Sequence, residues 1–298
     1  MRIGPFIAIG LLLAGIHAVA DEPTNGVSVC RFPDGKRAVV SFTFDDGPKV
    51  HVTDLAPRLD RYGFKATFYV IAGQVPAEPQ EGPKARASWP ELKAVAATGH
   101  EIGNHGMTHL NLQSVTNTVA LQCEILDAAD LIAAKVGRSP VSYAYPFCKS
   151  NPAAKAVVRS RHAVDRGYFP LYEGQYPIEK ANAEADQAVA DGTWLVRLSH
   201  GIDGAAFEEH LKYLKSRESE IGVGTYGDIG RYVAERDAVQ LTVRERRSDH
   251  VTFSVTLPAT MKADLFCVPL AVRVERAPGQ APVIVPVVPD GKPVIVRW

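Results

Sequence analysis

Three groups of side chains in this chain have the types and spacing that chemistry requires. Asp45 and Asp46 stand side by side where an apolar run ends, just before Gly47-Pro48. His105 and His109 are four residues apart, so both imidazoles can face one ion from a single helical turn or from a tight loop. Neutral imidazole and carboxylate oxygen suit zinc, with cobalt or nickel as alternatives. Asp46 added to His105 and His109 makes a three-ligand set that leaves positions for water and a substrate oxygen, as a catalytic ion needs. His200 is the third group. Trp194, Val196, Leu198 and His200 alternate along one strand face, and if that face points inward His200 lies at the strand end where α/β barrels carry catalytic groups.

Each signal also has an ordinary reading. Asp-Asp-Gly is common turn chemistry, and a single histidine is more often a satisfied core or loop residue than a catalyst. Alternation sends Asp45 and Asp46 to opposite sides of a strand; a turn at Gly47-Pro48 is needed to bring both to one cavity. His51, His100, His162, His210 and His250 show no partner in the sequence and read as bland.

The elements that must hold these groups follow from the pattern of apolar runs and breakers. Residues 37–44, 66–72, 100–104, 141–145 and 193–199 read as strands. Helices are expected over 52–62, from a Ser88 cap to Gly99, over 115–136, near 181–190, and over 205–216 and 225–236. Residues 75–88 form a loop, and 150–192 hold a short helix and a Tyr/Pro/Gly-rich loop. Alternating strands and helices favour a parallel sheet or barrel with helices outside. After Asp237 the period shortens to two, with Pro-Gly and Asp-Gly turns, which predicts a small all-β appendage over 238–298.

The chain of 298 residues carries 33 basic and 33 acidic side chains. That balance argues against nucleic acid or an anionic membrane as partner. Residues 1–20 read as a signal peptide: Arg2, an apolar run from Phe6 to Ile16, and Ala18-Val19-Ala20 as the cleavage site. The run is too short for a spanning helix. A secreted or periplasmic protein without a stable membrane span is expected. Cys30, Cys123, Cys148 and Cys267 match no zinc-cysteine spacing and read as structural, with three pairings open.

Together these residues resemble the polysaccharide deacetylase family, the NodB-homology domain of carbohydrate esterase family four. Thr43 to Pro48 matches the first motif residue for residue. His105-Gly106-Met107-Thr108-His109 is similar to the second, with Gly106 at a Ser/Thr position, and the stretch from Trp89 reads like the family's approach to it. Ser142 to Cys148 resembles the third, and Leu198-Ser199-His200 the fifth. The resemblance covers roughly 37–236, and it is the ordered set that is specific.

The resemblance implies a distorted (β/α) barrel over 21–237 that removes acetyl groups from an acetylated glycan, most readily one based on N-acetylglucosamine. It implies that Asp46, His105 and His109 hold a divalent ion, zinc first. Asp45 would be the base that activates the attacking water, and His200 the acid that protonates the leaving group. A backbone N–H of Pro146-Phe147 would contact the oxyanion, Leu198 would line the acetyl pocket, and Tyr145 would form part of the groove wall. Two departures stand out. Ala144 occupies the place of an Arg that pairs with the base in many members, and Cys148 replaces a Gly. Arg166 is the candidate to supply the cation from elsewhere. Asp165-Arg166 and Asp191-Gly192-Thr193-Trp194 are the candidates for the fourth motif. Rival readings are an O-acetyl esterase on a xylan-like polymer and an inactive glycan-binding barrel. Sequence leaves the oligomeric state open.

Overall fold

The computed structural model describes residues 24–174 and 177–298; the expected signal peptide lies outside the described residues. Among the described residues the first strands are β1 (Val27–Val29) and β2 (Ala38–Phe44). Every residue of β2 is buried, as expected for a parallel strand covered on both faces. A π-turn (His51–Leu55) leads into α1 (Ala56–Arg61), and β3 (Thr67–Val70) follows. α2 (Trp89–Ala97) starts from a capping box between Ser88 and Glu91, which satisfies orphan amides of its first turn. β4 (Glu101–Asn104) ends directly before His105, and His109 follows in the loop beyond it.

The long helical stretch read over 115–136 is α3 (Thr118–Gln122), a π-turn (Cys123–Asp127) and α4 (Ala128–Val136), stopped by Gly137 in the left-handed region. Then come β5 (Ser142–Ala144), α5 (Pro152–Arg161), β6 (Val164–Arg166), α6 (Ile178–Asp191), β7 (Trp194–Ser199), α7 (Gly204–Ser216), β8 (Ile221–Val223) and α8 (Tyr226–Arg236). β6 and β8 are not anticipated by pattern. Each has only three residues, too few to show a period.

Seven parallel strands form one curled sheet in the order β6-β5-β4-β3-β2-β7, with β8 also on β2. It is a distorted barrel, α/β in class, with Phe42, Phe44, Phe68, Leu55 and Phe207 in its main core. The C-terminal ends of β2, β4, β5, β6 and β7 bring Asp45, His105, Ala144, Arg166 and His200 to the same rim. No helix among the described residues is long and apolar enough to cross a membrane.

The remaining strands are β9 (Gln240–Arg246), β10 (His250–Thr256), β11 (Leu270–Val274), β12 (Val283–Val287) and β13 (Val294–Arg297). They make two three-stranded antiparallel sheets, β1-β11-β12 and β13-β10-β9. The β-rich unit therefore takes in β1 as well as the residues after 237. Helix α8 ties it to the barrel. Buried Glu235 accepts the amides of Cys267 at 2.8 Å and Val268 at 2.9 Å, and the Tyr232 hydroxyl donates to the Cys30 carbonyl at 2.8 Å. Phe253 is fully buried, so it offers no face to a sugar. Among the described residues no disulfide joins any of the four cysteines; Cys30 is buried and Cys123 exposed.

Candidate active site

Asp45 and Asp46 both approach the His105 imidazole because the backbone turns left-handed between them and the following helix. Asp46 has φ 72° and Gly47 φ 70°, which undoes the strand alternation. Asp46 Oδ1 lies 3.5 Å from Nε2 of both His105 and His109. Asp45 Oδ2 lies 3.9 Å from the same His105 nitrogen. His109 has φ 68°, and Phe147 and Cys148 each have φ 57°. Four non-glycine residues in the left-handed region thus sit around one centre, the clustering expected where function holds a strained backbone.

The set fits a divalent cation. Donor atoms of Asp46, His105 and His109 all lie within 4.8 Å of one another. Asp46 Oδ1 is buried with no hydrogen-bond partner, a costly condition that a cation would relieve. His105 donates from Nδ1 to the Ala144 carbonyl at 2.8 Å, so its Nε2 keeps a lone pair toward Asp46, the orientation that a hydrogen bond at the far ring nitrogen gives a metal-ligating imidazole. Burial holds the His105 imidazole below its ordinary range, the neutral form that ligation needs.

Asp45 is 4% exposed. Burial pushes its carboxyl upward, but the Arg166 guanidinium and the neighbouring His105 outweigh that and hold it below the usual carboxylate range. Nη2 of Arg166 donates to Asp45 Oδ2, while Oδ1 is buried without a partner. One carboxylate oxygen is therefore fixed and the other is left to accept a proton. Arg166 comes from the short strand β6, is 1% exposed, and lies 4.8 Å from the Tyr69 ring centroid. Its register partner on β5 is Ala144, the position where the resembling motif carries Arg. The small side chain of Ala144 leaves the sheet face open for the guanidinium arriving from the next strand.

His200 follows β7, and the Asp45 amide donates to the Ser199 carbonyl beside it at 2.9 Å. Its Nδ1 donates to Glu173, which an extension running beside β7 delivers: Leu171 bridges Leu198, and the Tyr172 amide donates to the Leu198 carbonyl at 2.9 Å. Pattern reasoning misses Glu173, which sits in a Tyr/Pro/Gly-rich loop with no period to read. It misses His51 as well. That residue is fully buried, and its Nε2 donates to the His200 carbonyl at 2.8 Å; burial lowers its imidazole to about 4, keeping it neutral.

The other histidines read as bland also have partners. His100 accepts the Ala66 amide at 3.0 Å, His162 accepts from Asn104 at 3.2 Å, His210 pairs with Asn182 at 2.7 Å and His250 with Asp249 at 2.8 Å.

The third-motif segment divides. Tyr145, expected in a groove wall, is only 3% exposed and donates its hydroxyl to Asp165 at 3.0 Å. It is a core residue supporting β6, because β5 turns its side chain inward beneath the rim. Pro146 is buried too, whereas Phe147 is 59% exposed with its ring centroid 4.6 Å from that of His109. The amides of Cys148 and Lys149 close the turn onto the Tyr145 and Pro146 carbonyls, so Phe147 has the N–H that these bonds do not use. Leu198 is 5% exposed on the inner face of β7. Neither Asp191 nor Trp194 joins the site: Asp191 accepts from Gln187 at 2.8 Å, and Trp194 donates to Ser41 at 3.1 Å.

Residues 33–163 match the sequence profile described as polysaccharide deacetylase. A peptidoglycan-N-acetylglucosamine deacetylase of Bacillus cereus is 28% identical over 69% of this chain and 77% of its own length. A gellan lyase of a Bacillus species is 24% identical over 83% of this chain, which spans only 11% of that longer protein. A crystal structure from Mycobacterium smegmatis, provisionally assigned as a polysaccharide deacetylase, superimposes with a TM-score of 0.55 at 18% identity, over 68% of this chain and 92% of that one. The last likeness concerns the fold.

Proposed function

We propose, for a chain that belongs to the polysaccharide deacetylase family of hydrolytic enzymes, that it removes acetyl groups from an acetylated glycan built on N-acetylglucosamine. The observation that carries this reading is the juxtaposition of two differently equipped carboxylates. Asp46 shares a 4.8 Å donor cluster with His105 and His109, while Asp45 beside it is buried, paired with Arg166 and free at one oxygen. The similarity to a peptidoglycan-N-acetylglucosamine deacetylase supports the substrate class.

Asp46, His105 and His109 would hold a divalent ion, zinc by the chemistry of the donors. When bound, such an ion supplies Lewis acidity, which makes water more acidic and polarises a carbonyl. Asp45 accepts the proton of the attacking water through its free oxygen. Arg166 keeps that carboxylate ionised and fixed in direction. The Phe147 N–H donates to the oxyanion as the carbonyl carbon becomes tetrahedral. His200, with Nδ1 held by Glu173, presents Nε2 to the leaving nitrogen and protonates it. Leu198 lines the space for the acetyl methyl.

Acetate release from chitin-type oligomers, peptidoglycan and acetylated xylan, compared side by side, tests the reading. Release from the N-acetylated substrates is expected. Release from xylan alone would move the substrate to O-acetyl esters, and none from any of them would leave only a glycan-binding barrel. Residues 1–20 as an export signal, and a location outside the cytoplasm, accompany this proposal and are checked by N-terminal sequencing of the exported protein.

A further inference from the structure

Gly106 stands where the family's second motif carries Ser or Thr, and Glu124 occupies the space. A Cβ on Gly106 would lie 2.7 Å from Glu124 Oε1 and 3.4 Å from the Tyr143 hydroxyl, at a φ of +85°. Glu124 is 4% exposed and belongs to the π-turn between α3 and α4. Such turns shift the side-chain register of a helix and recur at functional sites.

The carboxylate faces the loop that carries His109. Oε1 accepts the amides of Thr108 at 2.8 Å and Leu110 at 3.0 Å. Oε2 accepts the Thr108 hydroxyl at 2.9 Å. The Glu124 carbonyl accepts the Met107 amide at 3.0 Å. Four hydrogen bonds from residues 107–110 converge on one glutamate, and two of the donors flank His109. His109 itself has φ 68°, a conformation that side-chain sterics disfavour unless the surroundings impose it. Glu124 is not one of the clustered donors.

We propose that Glu124 is a positioning residue for His109: by accepting the amides on either side, it imposes the left-handed turn from which the His109 imidazole reaches Asp46. The inference rests on the reading of Asp46, His105 and His109 as the ion site. Removing the acceptor leaves two amides without partners and lets the turn relax, so the ion loses a well-aimed ligand while every ligand remains in the chain.

The test is zinc affinity of the full chain, by competition with a chromophoric chelator, alongside thermal unfolding of the metal-free forms. Glu124→Ala is expected to bind zinc about 10–100-fold more weakly, whereas Glu124→Gln, which keeps an Oε1 acceptor, stays close to the unaltered chain. Glu124→Asp preserves the charge but withdraws the carboxylate by one methylene; it is expected to weaken zinc too, and serves if the alanine variant does not fold. Unaltered affinity in Glu124→Ala or Glu124→Asp overturns the proposal, as does a loss in Glu124→Gln equal to that in Glu124→Ala. A parent chain that takes up no zinc overturns the ion-site reading and this inference with it.

Discussion

Arg166 is the direct register partner of Ala144 in the β5–β6 ladder, and its guanidinium reaches Asp45 with the Tyr69 ring centroid 4.8 Å away. A cation that the motif places on one strand is supplied here from the next. The two positions lie at one level of the sheet, so either can serve the same carboxylate.

Arg166→Ala is expected to lower kcat/KM at least about tenfold and to destabilise the fold by about 3–5 kcal/mol, because it leaves Asp45 buried without its cation. Adding Ala144→Arg to that variant should return part of both losses. Unchanged kcat/KM in Arg166→Ala, measured as acetate release, contradicts the role.

His200→Ala is expected to lower kcat by about 10²–10⁴ on an N-acetyl substrate, with KM little changed. An aryl acetate, whose leaving group departs without a proton, should lose much less. Glu173→Gln should act in the same direction and more weakly, since it weakens the anchor at Nδ1 and retains the acid. Equal losses on both substrates argue that His200 does something other than protonate the leaving group.

Stability should fall on acidification. Burial lowers His162 to about 4 and His210 to about 3, against an ordinary value of about 6.5. At neutral pH both states leave these imidazoles mostly neutral. As pH drops below the unfolded value, the unfolded chain binds protons that the folded chain refuses. The loss therefore grows from about pH 6.5 down through the folded values. Chemical unfolding of the chelated protein across that window checks the slope, and a flat profile between pH 6.5 and about 4 contradicts it.

The legible parts of the site are those that motif order can carry. Asp45, Asp46, His105, His109 and His200 stand in sequence where the rim of the barrel brings them together. Arg166 is visible as a cation of the right kind, but β6, the strand that aims it, has only three residues and no period. Glu173 and Glu124 are hidden for different reasons. Glu173 lies 27 residues before its partner in a loop whose course depends on β7. Glu124 has the pattern of a polar helix face, and a π-turn that reorients one side chain has no sequence signal of its own. Tyr145 escapes a correct reading because exposure at a strand end depends on how sharply the chain turns under the rim. In the fold, long apolar strands such as β2 are legible, whereas β1 cannot be assigned to the β-rich unit from pattern because its pairing with β11 spans most of the chain.

In the proposed reaction Asp45 works beside an ion held by Asp46, His105 and His109. The most direct test is acetate release from an N-acetylglucosamine oligomer by the full chain, first as purified, then after chelation, then with zinc restored, with Asp46→Ala alongside. This arrangement predicts that chelation abolishes release, that zinc returns it, and that Asp46→Ala is not rescued by zinc. Release that persists at full rate in the chelated chain would contradict it.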